Sequence, residues 1–211
     1  LKLLGVAQLV IPEIKVIRLG RFRDRRGYFT EHFRKSDLQT SPQTAFLRGL
    51  EFLQANESFS RAGTVRGLHC QWDPFVGKLV RTVHGHMIDL VLDIRLGSPT
   101  FGKVIAHDMP ARREDDFYQW IWLPPGFAHG NLFPEDTLIE YFCTGEYNPA
   151  CEAGISPLAA DIDWSLCERP LKAAFDDIAR GTELISDKDK VGLSVSTWEQ
   201  DERSRHFVYG G

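Results

Sequence analysis

Turn signals recur through this chain at intervals too short for long helices. They fall at Asp24-Arg25-Arg26-Gly27, Gly63, Gly77, Gly85, Gly97-Ser98-Pro99, Pro124-Pro125-Gly126 and Asn148-Pro149. Between them lie short runs rich in β-branched and aromatic residues, the pattern of an all-β sandwich or barrel. Leu79 to Val83 reads as a strand, His84-Gly85-His86 as a turn, and Met87 to Ile94 as a second strand. In that second strand Ile88, Leu90, Leu92 and Ile94 fill one face, while Asp89 and Asp93 interrupt the other. Gln119 to Leu123 and Thr137 to Thr144 read as further strands. Helical signals are few: a short helix begins near Ser36, and Arg169 to Ile178 has Pro170 near its start and Gly181 past its end. The tail from Ser194 is polar and reads as irregular. No linker or repeat divides residues 1–211, so the expectation is one β-rich domain with a small helical C-terminal extension.

Composition narrows the function classes. The chain has 211 residues, 43% hydrophobic and 26% charged, which suits a globular protein with a sizeable core. Its formal net charge of −4 supplies no basic excess to draw it to nucleic acid or an anionic membrane. No run approaches the roughly 18–20 apolar residues that span a bilayer. The opening LKLLGVAQLVIPEIKV lacks a charged leader region and runs into Pro12 and Glu13, so it reads as a strand lead-in. Cys70, Cys143, Cys151 and Cys167 form no CxxC pair and no zinc-like spacing with histidine. They read as reduced thiols of a cytoplasmic protein.

Two segments carry candidate chemistry: Gly63-Thr-Val-Arg-Gly-Leu-His69-Cys-Gln71 and Pro124-Pro-Gly126-Phe-Ala-His129. They resemble the two motifs of a cupin-type jelly roll. Metal-binding cupins place HxH in the first motif, but here that position reads His69-Cys70-Gln71. One imidazole is missing and no suitable Glu follows, whereas a tight metal site needs three or four ligands. The expectation is a pocket without metal.

Further segments sharpen the resemblance. DRRGYFTE (Asp24 to Glu31), LQANESFSRAGTVRGLHCQ (Leu53 to Gln71), GKLVRTVHG (Gly77 to Gly85), DIRLGSPTFG (Asp93 to Gly102), PPGFAHG (Pro124 to Gly130), YFCTGEYNP (Tyr141 to Pro149) and LISDKD (Leu184 to Asp189) occur in that order. Together they resemble the dTDP-4-dehydrorhamnose 3,5-epimerase family over roughly residues 11–190. The resemblance implies a cupin-type jelly-roll β-sandwich, a homodimer, a dTDP-4-keto-6-deoxyhexose substrate, and no metal or organic cofactor.

Inverting a carbon beside a ketone needs a base, a donor for the enolate oxygen, and an acid on the opposite face. Neutral histidine is available near neutral pH, and His69 is the candidate base. By resemblance, Asp189 orients it, Lys78 faces the ketone oxygen, and Tyr141 is the acid across the ring. Tyr147 and His129 match supporting pocket residues. Arg66 and Arg26 match residues that hold the diphosphate, a task suited to guanidinium forks. Gln54 and Asn56 match polar contacts to the nucleotide. Phe29 and Glu31 match a thymine-side wall supplied partly by the partner chain. Lys188 stands beside the aspartate, where it can also face phosphate.

Two features depart from the family pattern: the stretch from His69 to Lys78 is one residue shorter, and Asn131 stands where an aromatic is common. Three alternatives stay open at this point. They are inversion at C3 or C5 alone on a related nucleotide sugar, sugar-nucleotide binding without turnover, and a metal-dependent cupin.

Overall fold

A computed structural model describes residues 1–210. Twelve strands form within them: β1 (Leu3–Gln8), β2 (Lys15–Gly20), β3 (Phe22–Asp24), β4 (Gly27–Phe29), β5 (Gln54–Ser60), β6 (Thr64–Gln71), β7 (Lys78–Asp93), β8 (Val104–Ala111), β9 (Phe117–Leu123), β10 (Phe127–Phe133), β11 (Thr137–Cys143) and β12 (Glu152–Gly154). Helices are short: α1 (Lys35–Thr40), α2 (Arg169–Ala179), α3 (Asp187–Lys190) and α4 (Val195–Gln200). One sheet runs β1-β2-β9-β7-β11-β5 and the other β8-β7-β10-β6-β12, with antiparallel pairing throughout. This is a jelly-roll sandwich of the cupin type. The strands at Gln119–Leu123 and Thr137–Thr144, and helix α2, fall where the sequence puts them.

Strand β7 departs from the expected strand–turn–strand reading. It is one 16-residue strand. Its first half pairs with β9 and β11 in one sheet, and its second half with β8 and β10 in the other. The change of sheet falls at Gly85, whose φ is +93°. A Cβ there would lie 2.4 Å from the Asp136 carbonyl oxygen. Only glycine tolerates both conditions. His84-Gly85-His86 is therefore a corner within a continuous strand.

Side-chain alternation sorts the core into three layers. Val80, Val91, Ile121, Leu123, Phe133 and Ile139 meet between the sheets. Ile88, Leu90, Leu92 and Leu132 face outward from the second sheet and are covered by Phe175 of α2 and by Val195 and Trp198 of α4. Ile17, Leu79, Trp120 and Trp122 face outward from the first sheet under Leu38 and Leu47. The tail from Ser194 is thus not irregular. Ser194 caps α4 by accepting from the Thr197 amide at 3.1 Å, and Trp198 is fully buried.

The inner face of β7 carries Asp89 and Asp93, both fully buried. Asp93 accepts from Arg95 at 2.7 Å and from Ser98 and Thr100 at 2.6 Å each. Burial pushes its carboxyl up, but these donors outweigh burial and hold it below the usual carboxylate range.

Candidate active site

The gap between β5–β11 of one sheet and β6–β10 of the other opens into two adjoining cavities of about 450 and 500 Å³. Both are lined by His69, Lys78, His129, Tyr141 and Lys188. Gln54, Asn56, Tyr147 and Glu152 line the first, and Arg66 and Asp189 the second. Chain segments from across the sequence are brought together by strand pairing. Lys78 is opposite Cys143, Tyr141 opposite Asn56, and His129 opposite His69.

A bulge aims His69. In the β6–β10 pair His129 is opposite His69, yet Asn131 is opposite Arg66, so β6 carries one extra residue at Gly67-Leu68. Gly67 has φ +99°, and a Cβ on it would lie 2.6 Å from both the Gly130 Cα and the His129 carbonyl oxygen. The glycine of the TVRGLHC motif is therefore required by close backbone approach next to the histidine.

His69 Nε2 lies 2.7 Å from Asp189 Oδ1. Asp189 sits in α3, where Ser186 caps the helix by accepting from the Asp189 amide at 3.1 Å. Its other oxygen accepts from the Gly67 amide at 3.3 Å. Burial raises the Asp189 carboxyl, but the His69 bond and charge prevail and keep it ionised. A carboxylate on Nε2–H leaves Nδ1 as the nitrogen able to take a proton. Nδ1 lies 4.0 Å from Glu152 Oε1.

Tyr141 is half-buried on β11 between the two cavities. Burial, with a smaller push from the Cys143 thiol against the Arg66 charge, raises its phenol, so it carries its proton at neutral pH. His129 is buried, and its Nε2 lies 2.7 Å from Asp89 Oδ2. Burial lowers its imidazole despite Asp89, favouring the neutral form. Asn131 donates to the same Asp89 oxygen at 3.0 Å, while Asp89 Oδ1 is buried without a partner among the described residues.

The remaining expected residues divide. Gln54 is engaged at both ends, donating to Asn56 at 2.9 Å and accepting from the Tyr147 amide at 2.8 Å. Arg66 donates to Ser60 Oγ at 2.9 Å on the exposed edge of the second cavity. Lys188 pairs with Glu152, which also accepts from the Tyr147 hydroxyl at 3.2 Å. Arg26, Phe29 and Glu31 line neither cavity. Arg26 pairs with Asp24 at 2.7 Å, Phe29 is 67% exposed, and Glu31 pairs with Arg34. Gln71, at the missing second histidine, clamps a loop: it donates to the Pro74 and Glu146 carbonyls and accepts from the Asn148 amide. Sequence reasoning missed Glu152, which lines the first cavity, and Asp89, which holds His129 from the buried side. Asp89 had a signal, an acid shared with Asp93 on the core side of an apolar strand, whereas Glu152 had none.

A base held by a carboxylate, an ammonium and a protonated phenol around one cavity can remove a proton, stabilise an oxyanion and return a proton. Comparisons with known proteins identify the family. The sequence model of the family described as dTDP-4-dehydrorhamnose 3,5-epimerase matches residues 8–197. The chain is 35% identical over 204 residues to dTDP-4-dehydrorhamnose 3,5-epimerase of Neisseria gonorrhoeae, which covers 95% of this chain and 55% of that protein. The chain thus spans about half the length of that relative. Among solved structures, the dTDP-6-deoxy-D-glucose-3,5-epimerase of Legionella pneumophila, in complex with dTDP-4-keto-L-rhamnose, superposes with a TM-score of 0.74. It is 30% identical and covers 91% of this chain and 93% of its own. ChmJ, a 3'-monoepimerase from Streptomyces bikiniensis in complex with dTDP-quinovose, gives a TM-score of 0.72. It is 28% identical and covers 92% of this chain and 89% of its own.

Proposed function

This chain belongs to the dTDP-4-dehydrorhamnose 3,5-epimerase family, and from that premise we propose that it inverts C3 and C5 of a dTDP-4-keto-6-deoxyhexose by proton transfer between side chains. The observation that carries this reading is the His69–Asp189 pair at 2.7 Å, opening on a cavity shared with Lys78 and Tyr141. His69 Nδ1 takes the proton from the carbon beside the ketone. The electron pair moves onto the ketone oxygen, where the Lys78 ammonium stabilises it. Asp189 holds the ring tautomer and stabilises the imidazolium. Tyr141 returns a proton to the opposite face, and its raised phenol suits a donor at neutral pH. The imidazolium then gives its proton to solvent and the phenolate takes one from solvent, which restores base and acid for the second carbon. The sequence requires no metal or organic cofactor for these steps.

Arg66 and Lys188 supply positive charge for the diphosphate at the cavity edge. Arg26, Phe29 and Glu31 serve a second copy. The β3–β4 hairpin leaves Phe22, Tyr28 and Phe29 exposed, an apolar surface of the kind that marks interfaces. In a homodimer this hairpin reaches the partner's cavity. Four free thiols suit a reducing compartment, which supports a place in the cytoplasm.

Proton NMR in heavy water with dTDP-4-keto-6-deoxyglucose tests the function. Deuterium at both C3 and C5 is the expected result, and no exchange at either position rejects it. The likeness to a 3'-monoepimerase favours one second reading, inversion at C3 alone. Deuterium confined to C3 would establish it.

A further inference from the structure

The family match ends at residue 197, yet the chain beyond it returns to the active site. Trp198 is fully buried and donates from Nε1 to the Ile94 carbonyl at 3.1 Å. Leu96 then brackets the tail: its amide donates to the Phe207 carbonyl at 2.8 Å, and its carbonyl accepts from the Tyr209 amide at 3.0 Å. The Arg95 guanidinium lies over Phe127 at 4.3 Å and over Tyr209 at 4.9 Å. His206 stacks on Trp72, with centroids 5.5 Å apart and planes 7° from parallel. Phe207 packs edge-on to Phe75 at 5.5 Å. Trp72 and Phe75 lie on the loop between His69 and Lys78.

The result is a side chain from outside the family-matched part in the wall of the catalytic cavity. Phe207 lines the first cavity with Val76, Leu123, Pro124 and Phe127. Those residues are apolar, whereas Gln54, Asn56, Tyr147 and Glu152 of the same cavity are polar. A keto-deoxysugar nucleotide also has polar and apolar parts. Its hydroxyls, ketone and diphosphate need hydrogen bonds, and its deoxygenated methyl carbon needs none.

We infer that the segment from Trp198 to Tyr209 is a specificity element, and that Phe207 receives the methyl carbon of the 6-deoxy sugar. The inference rests on the epimerase reading above. A hydroxymethyl group at that place would lose its hydrogen bonds with water against Phe207, Val76 and Pro124. The tail thereby favours substrates already deoxygenated at that carbon. The reaction that supplies them must be one that removes the 6-hydroxyl.

The test compares wild type, Phe207→Ala and Phe207→Leu in the full chain. It reads kcat and KM for dTDP-4-keto-6-deoxyglucose, and separately the Kd for dTDP, which has no sugar methyl. Phe207→Ala is expected to raise KM about tenfold and Phe207→Leu about threefold, with kcat and the dTDP Kd unmoved. A merely structural role would move the dTDP Kd in step with KM, and that result overturns the inference. So does an unchanged KM in both variants. Leucine nearly keeps the core volume, so Phe207→Leu decides the matter where Phe207→Ala does not fold. A wild-type chain that exchanges no substrate proton rejects the epimerase reading and this inference with it. An active wild type with an unmoved KM in the variants rejects this inference alone.

Discussion

His129 stands directly opposite His69 across the β10–β6 pair, and each imidazole is held through Nε2 by its own aspartate at 2.7 Å. The two pairs differ in surroundings. His69 is 27% exposed at the side chain, against 10% for His129. Burial pushes the His129 ring toward neutrality, which suits a hydrogen-bonding wall. The more open His69 suits the base role proposed for it.

Replacing His69 by alanine is expected to cut deuterium uptake by roughly 10²–10⁴-fold while dTDP binding persists. Asp189→Asn keeps the shape but loses the carboxylate on Nε2–H. Its kcat should fall by about 10²-fold or more with little change in KM. Undiminished exchange in His69→Ala would place the base on another residue.

Tyr141→Phe separates the two halves of the reaction. The phenol's raised pKa follows from burial, so loss of its hydroxyl removes a donor that is protonated at neutral pH. The variant should still exchange deuterium from the face served by His69 while forming no inverted product. NMR of the recovered sugar reads both, and inverted product at the wild-type rate would exclude Tyr141 as the acid.

Gly67→Ala puts a Cβ 2.6 Å from the backbone of strand β10 at a φ of +99°. Strain and overpacking together should cost on the order of 2–4 kcal/mol. Urea unfolding measures it. A loss under about 0.5 kcal/mol would mean that the bulge beside His69 relaxes without cost.

Asp93 gives a pH signature. Arg95, Ser98 and Thr100 hold its carboxyl below the value of the unfolded chain, against the upward push of burial. The stabilisation is therefore complete above about pH 4. It drains away as the pH falls through the lower, folded value. Asp93→Asn should melt below wild type at pH 7, and the gap should narrow as both are taken toward pH 2. A constant gap over that range would show that proton uptake by Asp93 does not contribute.

The β architecture was legible because alternation and turn residues are local signals. Ile88, Leu90 and Leu92 announce their shared face without help from the rest of the chain. The corner at Gly85 was not legible: His-Gly-His looks the same in a hairpin turn and in a kinked strand. Only pairing with β11 on one side and β8 on the other decides between them. The tail reads as irregular because its composition is polar, yet three buried apolar residues, Val195, Trp198 and Phe207, dock it. Within the site, no periodicity links His69 to Asp189, which lies 120 positions away. Motif resemblance suggested that pair. Glu152 stayed hidden because its place beside Lys188 and Tyr147 arises only when β12 adds to β6.

Strand β7 carries Lys78 at one end and the buried partner of His129, Asp89, beyond its corner. It therefore acts as a ruler that fixes the spacing of two functional groups contributed to opposite sheets. Strand side chains alternate, so adding one residue between Leu79 and His84 would turn Lys78 out of the cavity and leave the backbone ladder able to re-form. Such a chain would still fold as a sandwich and fail as a catalyst. Along β7 the count of residues thus sets where the proposed chemistry can occur.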